Sequence, residues 1–86
     1  MPDYRVVVAR SAERELRGLP SDVRERATRS IDALASEPRP HGVKKLQGSS
    51  DLWRIRIRDY RIVYRIDDRR SLVDIIHIRH RKDIYR

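Results

Sequence analysis

Cysteine is absent from this 86-residue chain. That excludes a disulfide framework and any thiolate metal site. Histidine is scarce, and His41, His77 and His80 lack the spacing of a metal site, so neither a metal nor a cofactor is expected. No apolar run is long enough to span a bilayer or to serve as a signal peptide. The expectation is a soluble cytoplasmic protein with no membrane partner. Acidic charge is the other shortage, with 13 Asp and Glu against 21 Lys and Arg, a formal net charge of +8.

The shortage of acids is confined to one half of the chain. Residues 1–37 carry seven arginines and seven acids, whereas residues 38–86 carry fourteen Lys/Arg and six acids. A neutral half and a basic half suggest a scaffold joined to a surface that faces a polyanion. Nucleic acid is the first candidate for that polyanion and an acidic protein the second, and the two are compatible. The length fits one domain, residues 1–86, with a small core.

What the chain does have is a patterned stretch from Leu52 to Ile66, LWRIRIRDYRIVYRI. Trp53, Ile55 and Ile57 alternate with Arg54, Arg56 and Arg58. After Arg58-Asp59, the residues Tyr60, Ile62, Tyr64 and Ile66 alternate with Arg61, Val63 and Arg65. A period of two predicts a β-hairpin with an apolar, aromatic face and a guanidinium face. Centring the turn on Arg58-Asp59 pairs Ile57 with Tyr60, Ile55 with Ile62 and Trp53 with Tyr64. The same register sets Arg56 opposite Arg61 and Arg54 opposite Val63. A slip of one residue would set apolar side chains against arginines, so the register is well specified. Two arginines facing each other repel. Either their heads splay into water or the pair awaits an anion such as a phosphate. Trp53, Tyr60 and Tyr64 belong to the apolar face and are expected in the core.

The remainder supplies what that apolar face needs. Tyr4–Ala9 predicts a first strand. Ser11 offers an N-cap for a short helix with Ala12, Leu16 and Leu19 along one side, ended by Gly18 and Pro20. Ser21 offers a second N-cap, with Asp22 and Glu25 in the first turn and Val23, Ala27, Ile31 and Leu34 at helical spacing, so a second helix is expected to about Ser36. Residues 37–51 hold two prolines and two glycines and are expected to form a loop, with Val43 and Leu46 pinning it to the core. Asp67–Ser71 reads as a polar turn and Leu72–Arg79 as an interior strand. Its faces are expected to be Val73, Ile75 and His77 on one side and Leu72, Ile76 and Ile78 on the other. A four-residue connection would pair Arg65 with Asp74, a plausible cross-strand ion pair. His80–Arg86 is expected to be a terminal helical turn with Arg81 and Tyr85 on one side. The fold class is α+β: an N-terminal strand, a two-helix hairpin packed on one sheet face, a three-stranded antiparallel meander completing a four-stranded sheet, and a short C-terminal helical turn.

KKLQG at 44–48, WRIRIRDYRIVY at 53–64 and IIHIRHRKDIY at 75–85 resemble the RelE/ParE superfamily of bacterial toxins, most closely its RelE branch. The resemblance covers nearly the whole chain. It implies the toxin of a type II toxin-antitoxin system, a metal-independent mRNA endoribonuclease acting on the ribosome and held inactive by an acidic antitoxin in a hetero-oligomeric complex. Carried over by motif, the family's active-site positions fall on Arg54, Arg56, Arg61, Arg81 and Tyr85. The expected reaction is attack of a ribose 2′-OH on the adjacent phosphate. Arg56, Arg61 and Arg81 suit its developing negative charge, because guanidinium forks bind phosphate oxygens bidentately. Lys44, Lys45, Arg54, Arg58 and Lys82 are expected to help hold RNA. Arg65 and Arg79 are further candidates to hold RNA or antitoxin.

One departure bears on the chemistry. The positions of Arg54 and Arg56 are typically lysine in the RelE branch, and arginine does not readily release a proton. Tyr85 and His80 are then the candidates for proton transfer, while His77 is expected to pack on the sheet and His41 to sit in the loop. Two other readings follow from the same residues. One is a ParE-like inhibitor of DNA gyrase, since that branch shares the fold. The other is a basic RNA-binding module without catalysis.

Overall fold

The computed structural model describes residues 3–48 and 51–84. The elements run β1 (Arg5–Val8), α1 (Arg10–Arg17), α2 (Ser21–Ala33), β2 (Lys44–Lys45), β3 (Leu52–Ile57), β4 (Tyr60–Asp67), β5 (Leu72–His80) and α3 (Arg81–Ile84). The five strands form one sheet in the order β1-β5-β4-β3-β2. The class is α+β as the pattern implies, but the sheet is mixed and has five strands rather than four. β1 runs parallel to β5, Arg5 opposite Leu72 through Val8 opposite Ile75. The fifth strand is the two-residue β2, inside the stretch expected to be irregular throughout. Two residues are too few for any periodicity to reveal.

Both helices start without the expected serine caps. The N–H of Ala9 is still in the ladder, donating to Ile75 O at 2.9 Å, while its carbonyl already accepts Glu13 N–H at 2.8 Å. The chain therefore passes from strand to helix with no spacer, and Ser11 falls inside α1. At α2 the cap position is Pro20, and Ser21 is the first helical residue. Helix α2 ends at Ala33, three residues early, because the next amides turn tightly: Leu34, Ala35 and Ser36 donate to the carbonyls three residues back.

The core lies between the helices and one face of the sheet. Ala12, Leu19, Val23, Ala27, Ile31 and Leu34 meet Ile55, Ile57, Ile62, Tyr64, Ile66, Val73, Ile75 and Ile78. Trp53, Tyr60 and Val43 pack against this cluster. Tyr64 is fully buried, and its hydroxyl donates to Pro38 O at 2.8 Å, which ties the start of the 37–51 loop to the sheet. Burial pushes this phenol up to about 12. At the loop's far side Leu46 N–H donates to Leu52 O at 3.0 Å. Asp68, in the turn before β5, receives the Tyr4 hydroxyl at 2.6 Å and the Arg39 guanidinium at 2.9 and 3.3 Å. The bonds from Arg39 first, and then from Tyr4, hold its carboxyl below the usual range.

The β3–β4 register is the one the alternation demands, from Leu52 opposite Arg65 to Ile57 opposite Tyr60. Arg58, in the turn, adopts φ 54°, the left-handed region, and its guanidinium pairs with Asp22 at 3.0 Å. Arg65 does face Asp74, but Arg65 Nε bonds Asp51 at 3.1 Å. The faces of β5 are not as expected. The register shifts between Val63 and Tyr64, where Val63 faces His77 and Tyr64 faces Ile75. The bulge at Ile76 turns the strand over, so Ile78 joins Val73 and Ile75 in the core and His77 moves to the open face.

β1 ends opposite Ile75, whereas β5 continues to His80. Glu15 of α1 stands along that continuation. Its Oε1 accepts Ile78 N–H at 3.1 Å and its Oε2 accepts Arg79 Nε–H at 3.0 Å.

Candidate nucleic-acid interface

The helices cover one face of the sheet, and strand alternation sends Arg54, Arg56 and Arg61 to the other. β4 is the middle strand of the sheet, so its open-face side chains have neighbours on both sides. Arg61 is faced by Arg56 on β3 and by Arg79 on β5. Directly opposed side chains have Cβ atoms roughly 4.5–5.5 Å apart. The crowding buries Arg61 to 4% exposure, the one buried charged residue among those described. Its Nη1 is shut from solvent and has no hydrogen-bond partner. Val63, next along the strand, is buried on this same face although no helix covers it. His77 lies opposite Val63 and has a buried Nδ1 without a partner.

β2 adds a fourth cation. Lys44 pairs with Arg54, which places it on the open face beside the arginines. The turn before β2 passes through Gly42 at φ 90°, a conformation that glycine reaches without strain. Gly42, Lys44, Arg54, Arg56 and Arg61 line an open cleft of about 200 Å³. No acid lines it. Nearby acids are engaged at the periphery, Asp22 with Arg58, Asp51 with Arg65 and Glu15 with Arg79. Positive charge so concentrated, with a buried donor left open, is suited to an oxyanion.

The structure brings together four of the sequence-derived site residues, Lys44, Arg54, Arg56 and Arg61, and separates others. Lys45 pairs with Trp53 and so belongs to the helix side, its Nζ 5.8 Å from the indole centroid, with the Arg39 guanidinium at 5.0 Å from that ring. Arg58 is at the hairpin turn. His80 faces Tyr60, edge to face at 5.2 Å, which puts it on the core side, and its Nδ1 accepts Lys82 N–H. Arg81 opens α3, and its N–H donates to Asp59 O at 2.7 Å beside the hairpin turn. Arg81 and Lys82 are exposed. Tyr85 lies outside the described residues. Arg79 is a site neighbour that motif matching did not select; the β4–β5 register, with Arg65 opposite Asp74, was the available signal, but the bulge obscures it beyond Ile75. Among the described residues no group of His, Asp and Glu could hold a metal ion.

These features agree with what the chain is similar to. The family model of the ParE toxin of the type II toxin-antitoxin system parDE matches residues 6–85. A RelE toxin of Mycobacterium tuberculosis is 33% identical over 84 residues, covering 96% of this chain and 87% of that protein. The archaeal RelE–RelB complex from Pyrococcus horikoshii contains a chain of the same fold, with TM-score 0.82 and 31% identity over 92% of this chain and 96% of that one. The isolated E. coli RelE toxin superposes with TM-score 0.78 and 30% identity, covering 90% and 83%. A family match over almost the full length, with relatives of this identity and one shared fold, makes the chain a member of the RelE/ParE superfamily of type II toxins, near its RelE branch.

Proposed function

We propose that this toxin is a metal-independent, ribosome-dependent mRNA endoribonuclease and that the open cleft is its active site. The observation that carries the reading is the buried Arg61, which has an unpartnered Nη1 and lines the cleft together with Lys44, Arg54 and Arg56. A donor fixed in a water-poor site needs no reorganisation when charge develops before it, and its interaction is stronger there than in water. In the reaction the 2′-oxygen attacks phosphorus and the P–O5′ bond breaks. The products are a 2′,3′-cyclic phosphate and a 5′-hydroxyl. Arg61 and Arg56 neutralise the non-bridging oxygens, Arg54 holds the flanking strand, Arg81 adds charge from α3, and Tyr85 takes the 2′-OH proton as phenolate. His80 has no part in this scheme, because strand alternation turns it to the core side.

The partner in the cell is an acidic antitoxin. Structures of related toxins in complex with RelB support this, and the surplus of cations on residues 38–86 offers it a complementary surface. The test is primer extension on an mRNA translated with and without the purified toxin. The wild type should produce stops within codons, and Arg61→Ala and Tyr85→Phe should each lower single-turnover cleavage by about 10²–10⁴. A wild-type protein that cleaves nothing yet arrests growth would sink the ribonuclease reading. The match to the ParE family then makes gyrase supercoiling the next assay.

A further inference from the structure

The cleft has three guanidiniums and one ammonium. Arginine stays protonated throughout any accessible pH range, and glycine carries no titratable group. Of the described residues that line the cleft, only Lys44 can exchange a proton. We infer that Lys44 is the general acid of this toxin, the group that protonates the leaving 5′-oxygen. This rests on the RNA-cleavage reading above and assigns a role that the hairpin itself does not fill, since both of its expected lysine positions are Arg54 and Arg56.

The placement follows from the backbone. Lys44 and Lys45 form the whole of β2, and the ladder puts Lys44 across from Arg54 and Lys45 across from Trp53. Alternation then separates two adjacent lysines completely, one into the cleft and the other against the indole. Lys44 and Arg54 share the open face at a directly opposed position, where side chains are within reach of the same ligand atoms. The neighbouring Arg56 and Arg61 hold the phosphate, so an ammonium at this edge stands beside its bridging oxygens.

The proton balance is complete. The 2′-OH proton leaves to the base, the 2′-oxygen bonds phosphorus, and the electron pair of the broken P–O5′ bond goes to O5′. O5′ takes a proton from Nζ of Lys44, and water later restores the ammonium. A lysine side chain is protonated at neutral pH, and an alkoxide is far more basic than an amine, so the transfer runs downhill.

Three proteins and two substrates decide the matter: wild type, Lys44→Arg and Lys44→Met, with an mRNA carrying either oxygen or sulfur at the 5′-bridging position of the scissile link. A thiolate leaves without protonation. On the oxygen substrate both variants should cleave about 10²–10⁴ more slowly than wild type in single turnover. On the sulfur substrate they should cleave at close to the wild-type rate. Lys44→Arg keeps the charge, so its binding to ribosomes should match wild type at every salt concentration. A full-rate Lys44→Arg on the oxygen substrate overturns the assignment, as does an equal deficit on both substrates, which would make Lys44 a charge and not an acid. If the wild type cleaves neither substrate, the ribonuclease reading falls, and this inference with it.

Discussion

Replacing Arg61 by methionine should make the protein more stable while it destroys the site. Arg61 is 4% exposed, its Nη1 has no partner, and it faces Arg56 on one side and Arg79 on the other. An unsatisfied buried donor costs about 1–3 kcal/mol, and more when charged. Methionine is unbranched, of similar reach, and adapts to irregular space, so it leaves little void behind. After allowing for imperfect packing of the new side chain, a net gain of roughly 1–2 kcal/mol remains. For a domain of this size each 1 kcal/mol moves Tm by about 4–8 °C. Thermal unfolding followed by circular dichroism in low-salt buffer should therefore place Arg61→Met at least about 4 °C above wild type. Inorganic phosphate supplies the second arm. Bound only by the folded wild type, it should stabilise by about 1.4 kcal/mol at ten times its Kd, raising the wild-type Tm toward that of the variant. Arg61→Met should not respond. A lower Tm for the variant, or an equal phosphate response in both proteins, would refute the reasoning that this arginine is held at a cost for the sake of an anion.

Two further outcomes test the framework that holds the cleft in shape. Tyr64→Phe should cost about 0.5–1.5 kcal/mol at neutral pH through loss of the bond to Pro38 O. Because the folded-state phenol titrates at about 12, above its unfolded value, its contribution is complete below pH 10 and is lost as pH rises toward 12; denaturant unfolding of both proteins across that range should show a larger alkaline loss with tyrosine than with phenylalanine. Asp68→Asn should act at the opposite end. Its carboxyl is held low by Arg39 and then by Tyr4, so its contribution is present above the ordinary carboxylate range and disappears as pH falls through the depressed value. The asparagine variant should show a flatter acid limb in urea unfolding, and an unchanged limb would show that the cluster contributes nothing to folding.

The hairpin was legible residue by residue because its two faces differ in kind. With apolar side chains on one and arginines on the other, only one register avoids mixing them, and all five expected β3–β4 pairs are observed, with Leu52 opposite Arg65 as a sixth. β5 was legible only to its midpoint. Leu72, Val73, Ile75, Ile76 and Ile78 are apolar at both parities, so nothing in the pattern marks where a bulge turns the strand over. That one extra residue decided the faces of His77, Ile78, Arg79 and His80. Lys44 and Lys45 are neighbours of one type in a loop rich in proline and glycine, and their separation onto two faces needed the sheet edge to be seen. The burial of Arg61 was hidden for a related reason: the sequence marks an arginine as a surface residue, and only its place in the middle strand, between two other arginines, encloses it.

The bare run of β5 from Ile76 to His80 has a consequence of its own. Uncovered strand edges invite other backbones to pair with them. Here the inviting donor, Ile78 N–H, is already taken by Glu15, whose other oxygen holds Arg79. Any extended segment that competed for that amide would have to evict the carboxylate, and in the same movement would unhook the arginine that faces Arg61. Docking at the rim and the charge balance of the open face are thus geared to a single side chain, so that a contact made with main-chain atoms alone would be felt as a freed cation beside Arg61, on the next strand.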